Sequence, residues 1–444
     1  MLITFRVSNF LSFNDEVELS MQAGQQRNLP SHYISTGTGR NDVNILKTAV
    51  IYGANASGKS NLIKAMDFAK KVIVNGIKSE TTFNKHFRLD PANREKPSSF
   101  EFEFKLEEKM YAYGFSAHLE SKKIKEEWLV ELGKTTENVI YERKVLENGQ
   151  SEFPVFNLKL SDKKAINRFE VYREDVLESQ LFLTELSDKN LSVESAIFFQ
   201  MYDAINAIFF CYPNTNFTLP KLYKLFDKEH IIELINFFKV GIADLSLDEY
   251  EIDENQSTNQ SQDNDLLGNR HEVRNHEGKK IMSKLIAKHV AINGLIDFEL
   301  GEESDGTQRL FDFIFLLIGL RVTNDKNAIL IIDEIDRSLH PELSHKILDF
   351  FLTSTQGVEN QLIVSTHESS LLDLNLLRRD EIWFTEKDPN GATKLYSLEE
   401  FKPRHDTELR KAYLTGRFGA IPFISNVKSL GWLKHKPLET TPSV

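Results

Sequence analysis

The stretch Ile51-Tyr-Gly-Ala-Asn-Ala-Ser-Gly-Lys-Ser-Asn61 fits G-x-x-x-x-G-K-[ST] from Gly53 to Ser60 without a mismatch. The apolar run Thr48 to Tyr52 before it reads as a buried parallel strand, and Asn61 to Ile73 after it carries apolar residues at helical spacing. Strand, loop and helix in that order are the context in which such a loop cradles phosphate. Gly53 and Gly58 permit backbone angles that turn the N–H groups of Ala54, Asn55, Ala56 and Ser57 inward, and the helix opening at Asn61 adds free N–H groups and its dipole. Lys59 is expected to reach the β and γ phosphates of ATP, and Ser60 to hold Mg²⁺. The alternative, a Gly/Ser-rich turn that happens to contain a lysine, explains neither flank.

A chain of 444 residues is too long for one ordinary core, and 41% hydrophobic with 27% charged residues is the composition of a soluble globular protein of two or three subdomains. No apolar run is long enough for a membrane helix, and Met1-Leu-Ile-Thr-Phe-Arg alternates like a strand rather than like a leader, so a cytoplasmic protein is expected. The single cysteine, Cys211, rules out an internal disulfide framework and a Cys-rich zinc site, and its apolar surroundings predict a buried, inert thiol. A net charge of −12 argues against nucleic acid coating the whole surface. Between Lys402 and Lys436, however, eight Lys/Arg face two acids, which marks either a docking face or a solvated basic tail.

Residues 2 to 20 alternate as two short strands, and 22 to 44 read as a surface loop. Alternation returns at Phe100–Leu106, Met110–Leu119 and Ile124–Leu132, which predicts an antiparallel subdomain completing an N-terminal lobe over 1–160. From about Ser161 the period becomes helical, predicting an α-helical insert over 161–293; the cluster Met201, Phe209, Phe210, Tyr212 within it reads as core. Inside that insert, Asp244 to Asp265 carries eight acids and no Lys/Arg and reads as a mobile linker, while Ile281 to Val290 reads as a helix. A C-terminal lobe over 294–400 follows, then the basic segment 401–444.

Ile329-Leu-Ile-Ile-Asp333-Glu334 places paired carboxylates at the C-terminal end of a buried strand, the edge where ligands gather in open α/β sheets. Asp333 is suited to the Mg²⁺ shared with Ser60, and Glu334 to polarising the water that attacks the γ-phosphate. Upstream, Glu303-Ser-Asp-Gly-Thr-Gln308 opens an apolar helix; downstream, Val364-Ser-Thr-His367 ends a strand.

With these motifs the chain resembles the ATP-binding-cassette (ABC) ATPases of the SMC and RecF kind. In that group a Ser-x-Gly signature contacts the γ-phosphate bound by the opposite subunit, a D-loop follows the Asp-Glu pair, and a switch histidine senses the γ-phosphate. The resemblance implies those roles for Ser304 and Gly306, for Asp336, and for His367. Helix N–H groups aimed at phosphate and a neutral imidazole at a strand end give the signature and the switch physical sense. Asp305 departs from the transporter signature, and no Q-loop glutamine is placed. Only 244 residues separate Ser60 from Ser304, with no room for a long coiled coil.

Five stretches sharpen the resemblance: Phe5–Phe13, Tyr52–Asn61, Glu303–Leu310, Asp333–Pro341 and Tyr413–Pro422. Together they look like the ATPases of bacterial abortive-infection and anti-phage loci (AbiL, RloA and PARIS types), relatives of the overcoming-lysogenization-defect proteins. Those relatives carry a C-terminal Toprim nuclease; the 77 residues after His367 hold no Asp-x-Asp pair, so that domain is expected to be absent. The resemblance implies an ATP-dependent homodimer that sandwiches two ATP molecules and controls an effector encoded next door, such as a Toprim nuclease. Nucleic acid is a possible partner but not a required one. A DNA-repair ATPase that binds DNA directly and a scaffold that binds ATP without hydrolysing it are the rival readings.

Overall fold

The computed structural model describes residues 1–26, 28–35, 43–133, 136–158, 163–187, 189, 196–215, 217–252, 271–276, 279–322, 327–355, 357–404 and 407–421. The chain opens with β1 (Leu2–Ser8) and β2 (Val17–Ser20), passes a ribbon of β3 (Tyr33–Ser35) and β4 (Asn44–Leu46), and enters the interior as β5 (Thr48–Gly53), followed by α1 (Lys59–Asn75). A meander comes next: β6 (Ser98–Leu106), β7 (Lys109–His118), β8 (Lys123–Leu132), β9 (Glu137–Val145) and β10 (Ser151–Phe156). Helices α2 (Lys163–Asp175), α3 (Phe182–Ser187) and α4 (Ala196–Asn206) lead to β11 (Ile208–Cys211), and α5 (Leu219–Leu225) and α6 (Lys228–Phe238) follow. Four strands close the insert: β12 (Ile242–Ile252), β13 (His271–His276), β14 (Lys279–Ala291) and β15 (Gly294–Glu299). The remainder is α7 (Asp305–Val322), β16 (Ile329–Ile332), α8 (Pro341–Ser354), β17 (Gln361–Ser365), β18 (Ile382–Lys387), β19 (Thr393–Ser397) and α9 (Leu409–Leu414).

The central sheet runs β11-β16-β17-β5-β18-β19, parallel except for β19. Every residue of β5, β16 and β17 is buried, as expected of β-branched and leucine-rich strands covered on both faces. Because these three strands are parallel neighbours, the loops after Gly53, Ile332 and Ser365 emerge together at one edge. A second sheet, antiparallel in the order β10-β9-β8-β7-β6-β1-β2, turns Phe5, Phe100, Phe102 and Phe104 onto Leu62, Met66 and Phe68 of α1. The other face of the central sheet packs Val50, Tyr52 and Ile332 with Phe311 and Phe315 of α7. The fold is therefore α/β, a mostly parallel central sheet that carries the phosphate-binding loop, with an antiparallel β subdomain and an insert of helices and a second antiparallel sheet. Among the described residues no helix is long and apolar enough to cross a membrane.

Deep in the antiparallel sheet, Arg143 and Glu127 are both fully buried. The pair survives there because it is saturated. Arg143 also donates to the Leu177 and Gln180 carbonyls, and Glu127 accepts from the Tyr113 and Tyr141 hydroxyls and the Phe182 and Leu183 N–H groups, which fastens α3 to the sheet.

The insert departs from the sequence reading in three places. Ile281 to Val290 is not a helix but most of β14, paired along its length with β12 and in parts with β13 and β15. Its apolar residues happen to fall at helix-like intervals, and tertiary pairing overrides that pattern. The acidic run is not a linker as far as Ile252: it is β12, with Asp244 paired to Lys228 and Glu251 to Lys279, both at 2.8 Å. Residues 253–265 lie outside the described residues, as does 422–436 of the basic segment. Phe209 and Phe210 belong to an edge strand of the central sheet rather than to a helix, and Phe209 is half exposed. Cys211, at the end of that strand, is buried as expected, and burial pushes its thiol up to about 11.

Candidate nucleotide site

The loop between β5 and α1 needs its glycines. Gly58 has a φ of 120°, and a Cβ there would fall on the Thr393 side chain, 2.6 Å from its Cγ2; one at Gly53 would come within 2.6 Å of the Thr385 carbonyl oxygen. Ala56 lies in the left-handed region at φ 63°, at a cost of about 1–2 kcal/mol. Distant segments brace the loop. Ser57 Oγ and Thr385 Oγ1 are hydrogen bonded at 2.6 Å, Thr393 Oγ1 donates to the Ser57 carbonyl at 2.8 Å, and Asn61 Nδ2 donates to Ser12 Oγ at 2.9 Å. Gly58 caps α1 without a side chain, so no side-chain acceptor competes for the first N–H groups of the helix, which is what an anion site requires.

Lys59 is buried against this loop. Its Nζ donates to the carbonyls of Gly53 (2.8 Å) and Ala54 (3.2 Å) and lies 3.2 Å from Nδ1 of His367. Burial lowers its pKa to about 8, against the opposing pull of Asp333, Asp336 and Glu334. Burial first, and then the Lys59 charge, also lower the His367 pKa, which favours the neutral imidazole. With a lysine donor at Nδ1, its remaining proton sits on Nε2.

The Asp-Glu pair forms a chain of hydrogen bonds with the two neighbouring strands. Ser60 Oγ donates to Asp333 Oδ1 at 3.1 Å, and Ser365 Oγ donates to the same oxygen at 2.5 Å. The N–H of Glu334 donates back to Ser365 Oγ at 2.9 Å, while the Glu334 backbone takes the left-handed region at φ 54°. Its carboxylate is one-third exposed, 3.9 Å from Arg337. Asp336 turns inward, accepting from Thr366 Oγ1 at 2.7 Å and from the His367 N–H at 3.3 Å.

Lys59, Ser60, Asp333, Glu334, Asp336 and His367 thus gather at one edge. Ser304 and Gly306 do not join them by any hydrogen bond among the described residues. Ser304 is exposed and caps α7 by accepting the Thr307 N–H, while a Cβ on Gly306 would meet the Ser338 carbonyl oxygen at 2.7 Å. Sequence reasoning passed over Ser365 and Thr366, although both stand beside His367 in the strand-ending Val364-Ser-Thr-His367. It also passed over Ser12, Thr385 and Thr393, for which no local signal exists.

The oxygens of Ser60 and Asp333 suit a hard cation such as Mg²⁺. Among the described residues no cluster of three His, Cys, Asp or Glu side chains could hold a metal by itself.

Residues 49–373 match the family described as "AAA domain, putative AbiEii toxin, Type IV TA system". No curated protein matches the chain. Among solved structures, the SMC head domain from Thermotoga maritima is similar at 13% identity and a TM-score of 0.38, covering 89% of this chain and 98% of that one. The chain belongs to this AAA-domain, putative AbiEii toxin family, and is a P-loop protein of the AAA type.

Proposed function

We propose that this AAA-domain protein is an ATP-hydrolysing switch whose two nucleotide sites are completed across a homodimer, and that it controls a separately encoded effector in anti-phage defence. The observation that carries the reading is the continuous Ser60–Asp333–Ser365–Glu334 hydrogen-bonded chain beside Lys59 and His367. Loop N–H groups and Lys59 hold the phosphates of ATP. Ser60 and Asp333 would hold Mg²⁺, which would supply charge neutralisation for the phosphates. Glu334 orients the attacking water and takes its proton, and the Nε2–H of His367 donates to a γ-oxygen while Asp336 fixes its backbone.

Ser304 and Gly306 are read as serving the nucleotide of a second copy: Ser304 stands exposed at the N-terminus of an 18-residue helix with no bond to its own loop. The family description, which names a putative AbiEii toxin and a type IV toxin–antitoxin system, supports a defence role.

The test mixes two variants. Ser304→Arg should bind ATP but neither dimerise with it nor hydrolyse it, and Lys59→Ala should lose binding. Mixed, they retain one sound pair, Lys59 of one chain opposite Ser304 of the other, so ATP should drive a heterodimer seen by light scattering. Failure of that heterodimer to form would refute the shared site. For the effector, the pure chain should neither cut DNA nor protect cells from phage, while co-expression with the neighbouring gene should protect unless Lys59 is replaced by Ala.

A further inference from the structure

Strand order at the ligand edge fixes the direction in which a nucleotide leaves the phosphate loop. The loop follows β5 in the order β16-β17-β5-β18-β19. Asp333, Glu334 and His367 follow β16 and β17, so the γ-phosphate end of ATP points to that flank. The nucleoside therefore lies over the opposite flank, that of β18 and β19.

That flank is built from anchored segments. The turn joining β18 to β19 stands at the same edge, because Thr385 of β18 lies in register with Gly53. Thr393, where the turn re-enters the sheet, donates through Oγ1 to the Ser57 carbonyl at 2.8 Å and through its N–H to the Ser12 carbonyl at 2.7 Å. Next to Ser12, Leu11 holds a φ of 49° and donates its N–H to the Lys85 carbonyl at 2.6 Å. The segment after Lys85 wraps round Asn9, whose side chain accepts the Phe87 N–H at 3.1 Å and donates to the Asn93 and Lys96 carbonyls at 2.9 and 3.0 Å. Between those anchors Leu89 reaches the turn: a Cβ on Gly391 would fall 2.5 Å from its Cδ1. Leu89 is nevertheless 67% exposed. The polar side chains around it are spent locally, Asp90 Oδ1 on the Ala92 N–H, Asp388 Oδ1 on the Asn390 and Ala392 N–H groups, and Lys387 Nζ on the Gly391 carbonyl. What the segment offers to a ligand is apolar surface on a fixed loop, which the face of an aromatic ring can cover.

We propose that Leu89 is the nucleoside shelf of this site, with the base of ATP lying face-on across its side chain between the Gly391 turn and Leu11. The proposal rests on the reading of Gly53 to Ser60 as the phosphate loop and adds to it the group that holds the other end of the nucleotide. It does not depend on a second copy of the chain, since every residue named lies in one subunit.

Equilibrium binding to the full chain tests this with two probes, ATP and inorganic tripolyphosphate, each with Mg²⁺. Leu89→Ser, at a position already exposed, should raise the Kd for ATP about tenfold, as the loss of most of a leucine contact predicts, and leave that for tripolyphosphate within about twofold of the parent. Leu89→Met, which keeps the apolar volume, should bind ATP within about threefold of the parent. Lys59→Ala should lose both ligands. An ATP Kd for Leu89→Ser within about twofold of the parent would overturn the proposal. So would an equal loss of tripolyphosphate, because Leu89 would then be supporting the loop rather than the base. Tripolyphosphate binding that survives Lys59→Ala would instead overturn the phosphate-loop reading, and the shelf with it.

Discussion

Ser365→Ala isolates the group that joins the two carboxylates of the site. Ser365 is fully buried at the end of β17, where its Oγ donates to Asp333 Oδ1 at 2.5 Å and accepts the Glu334 N–H at 2.9 Å. Alanine removes both bonds, leaving Asp333 with Ser60 at 3.1 Å and the Glu334 N–H without its acceptor. A hydrogen bond to a charged partner contributes about 1.5–3 kcal/mol, and an orphaned N–H costs about 1–3 kcal/mol. The left-handed Glu334 backbone opposes its own geometry by about 1–2 kcal/mol, so the freed segment has reason to relax. If about 2–3 kcal/mol of that loss falls on the transition state, at about 1.4 kcal/mol per factor of ten, kcat drops roughly 30- to 150-fold. ATP affinity should change less than about threefold, since no loop N–H and no Lys59 contact is touched. Phosphate release measures the first and fluorescent-nucleotide displacement the second. A kcat within threefold of the parent, or an ATP Kd that rises in step with the loss of kcat, would refute the assignment of Ser365 as the residue that positions the pair.

Glu334→Gln should lower kcat by about 100-fold or more without weakening ATP binding, leaving an ATP-bound dimer on size exclusion; near-parental turnover would remove Glu334 from the base role. ATP affinity should fall as pH rises, because the Lys59 ammonium, held at about 8, is lost above that pH. Between pH 7.5 and 9, past the second phosphate ionisation near 6, the Kd should rise about eightfold, and a flat profile would mean that Lys59 does not pair with phosphate. Gly306→Ala should cut hydrolysis with little effect on ATP binding, since its Cβ meets the Ser338 carbonyl oxygen at 2.7 Å; unchanged turnover would show that this approach is slack.

The phosphate loop and the Asp-Glu strand were legible because their signals are local. A glycine is needed where φ is 120° at Gly58, and an apolar four-residue run is needed where β16 is buried on both faces. The braces were not legible. Ser57 and Thr385 are 328 residues apart, and Thr393 and Ser12 are 381 apart, so no window along the chain contains either pair. The insert shows the opposite failure, a local signal that tertiary structure overrules. The isoleucines and leucine of β14 fall at intervals a helix would also produce, and only pairing with β12, β13 and β15 decides for a strand. The acids of β12 look like a solvated linker until Lys224, Lys228 and Lys279 are found opposite them.

On the proposed function, the five residues from Glu334 to Ser338 would link hydrolysis to subunit contact. At one end, Glu334 is fixed through its N–H to Ser365; in the middle, the Asp336 carboxylate fixes the His367 backbone; at the other end, the Ser338 carbonyl lies against Gly306. Two of the five, Glu334 and Ser338, are non-glycine residues with positive φ, at 54° and 61°. Such conformations persist only where the surroundings impose them, and each costs energy that a small displacement can release. A second copy seated on Ser304 and Gly306 would press on Ser338. A segment this short, strained at both ends, has little freedom to absorb that pressure without moving Glu334 or Asp336. The Glu334 carboxylate and the His367 imidazole would then respond to the same contact. In the proposed arrangement turnover would depend on closure of the dimer, and an isolated chain with every residue of the loop in place should hydrolyse slowly.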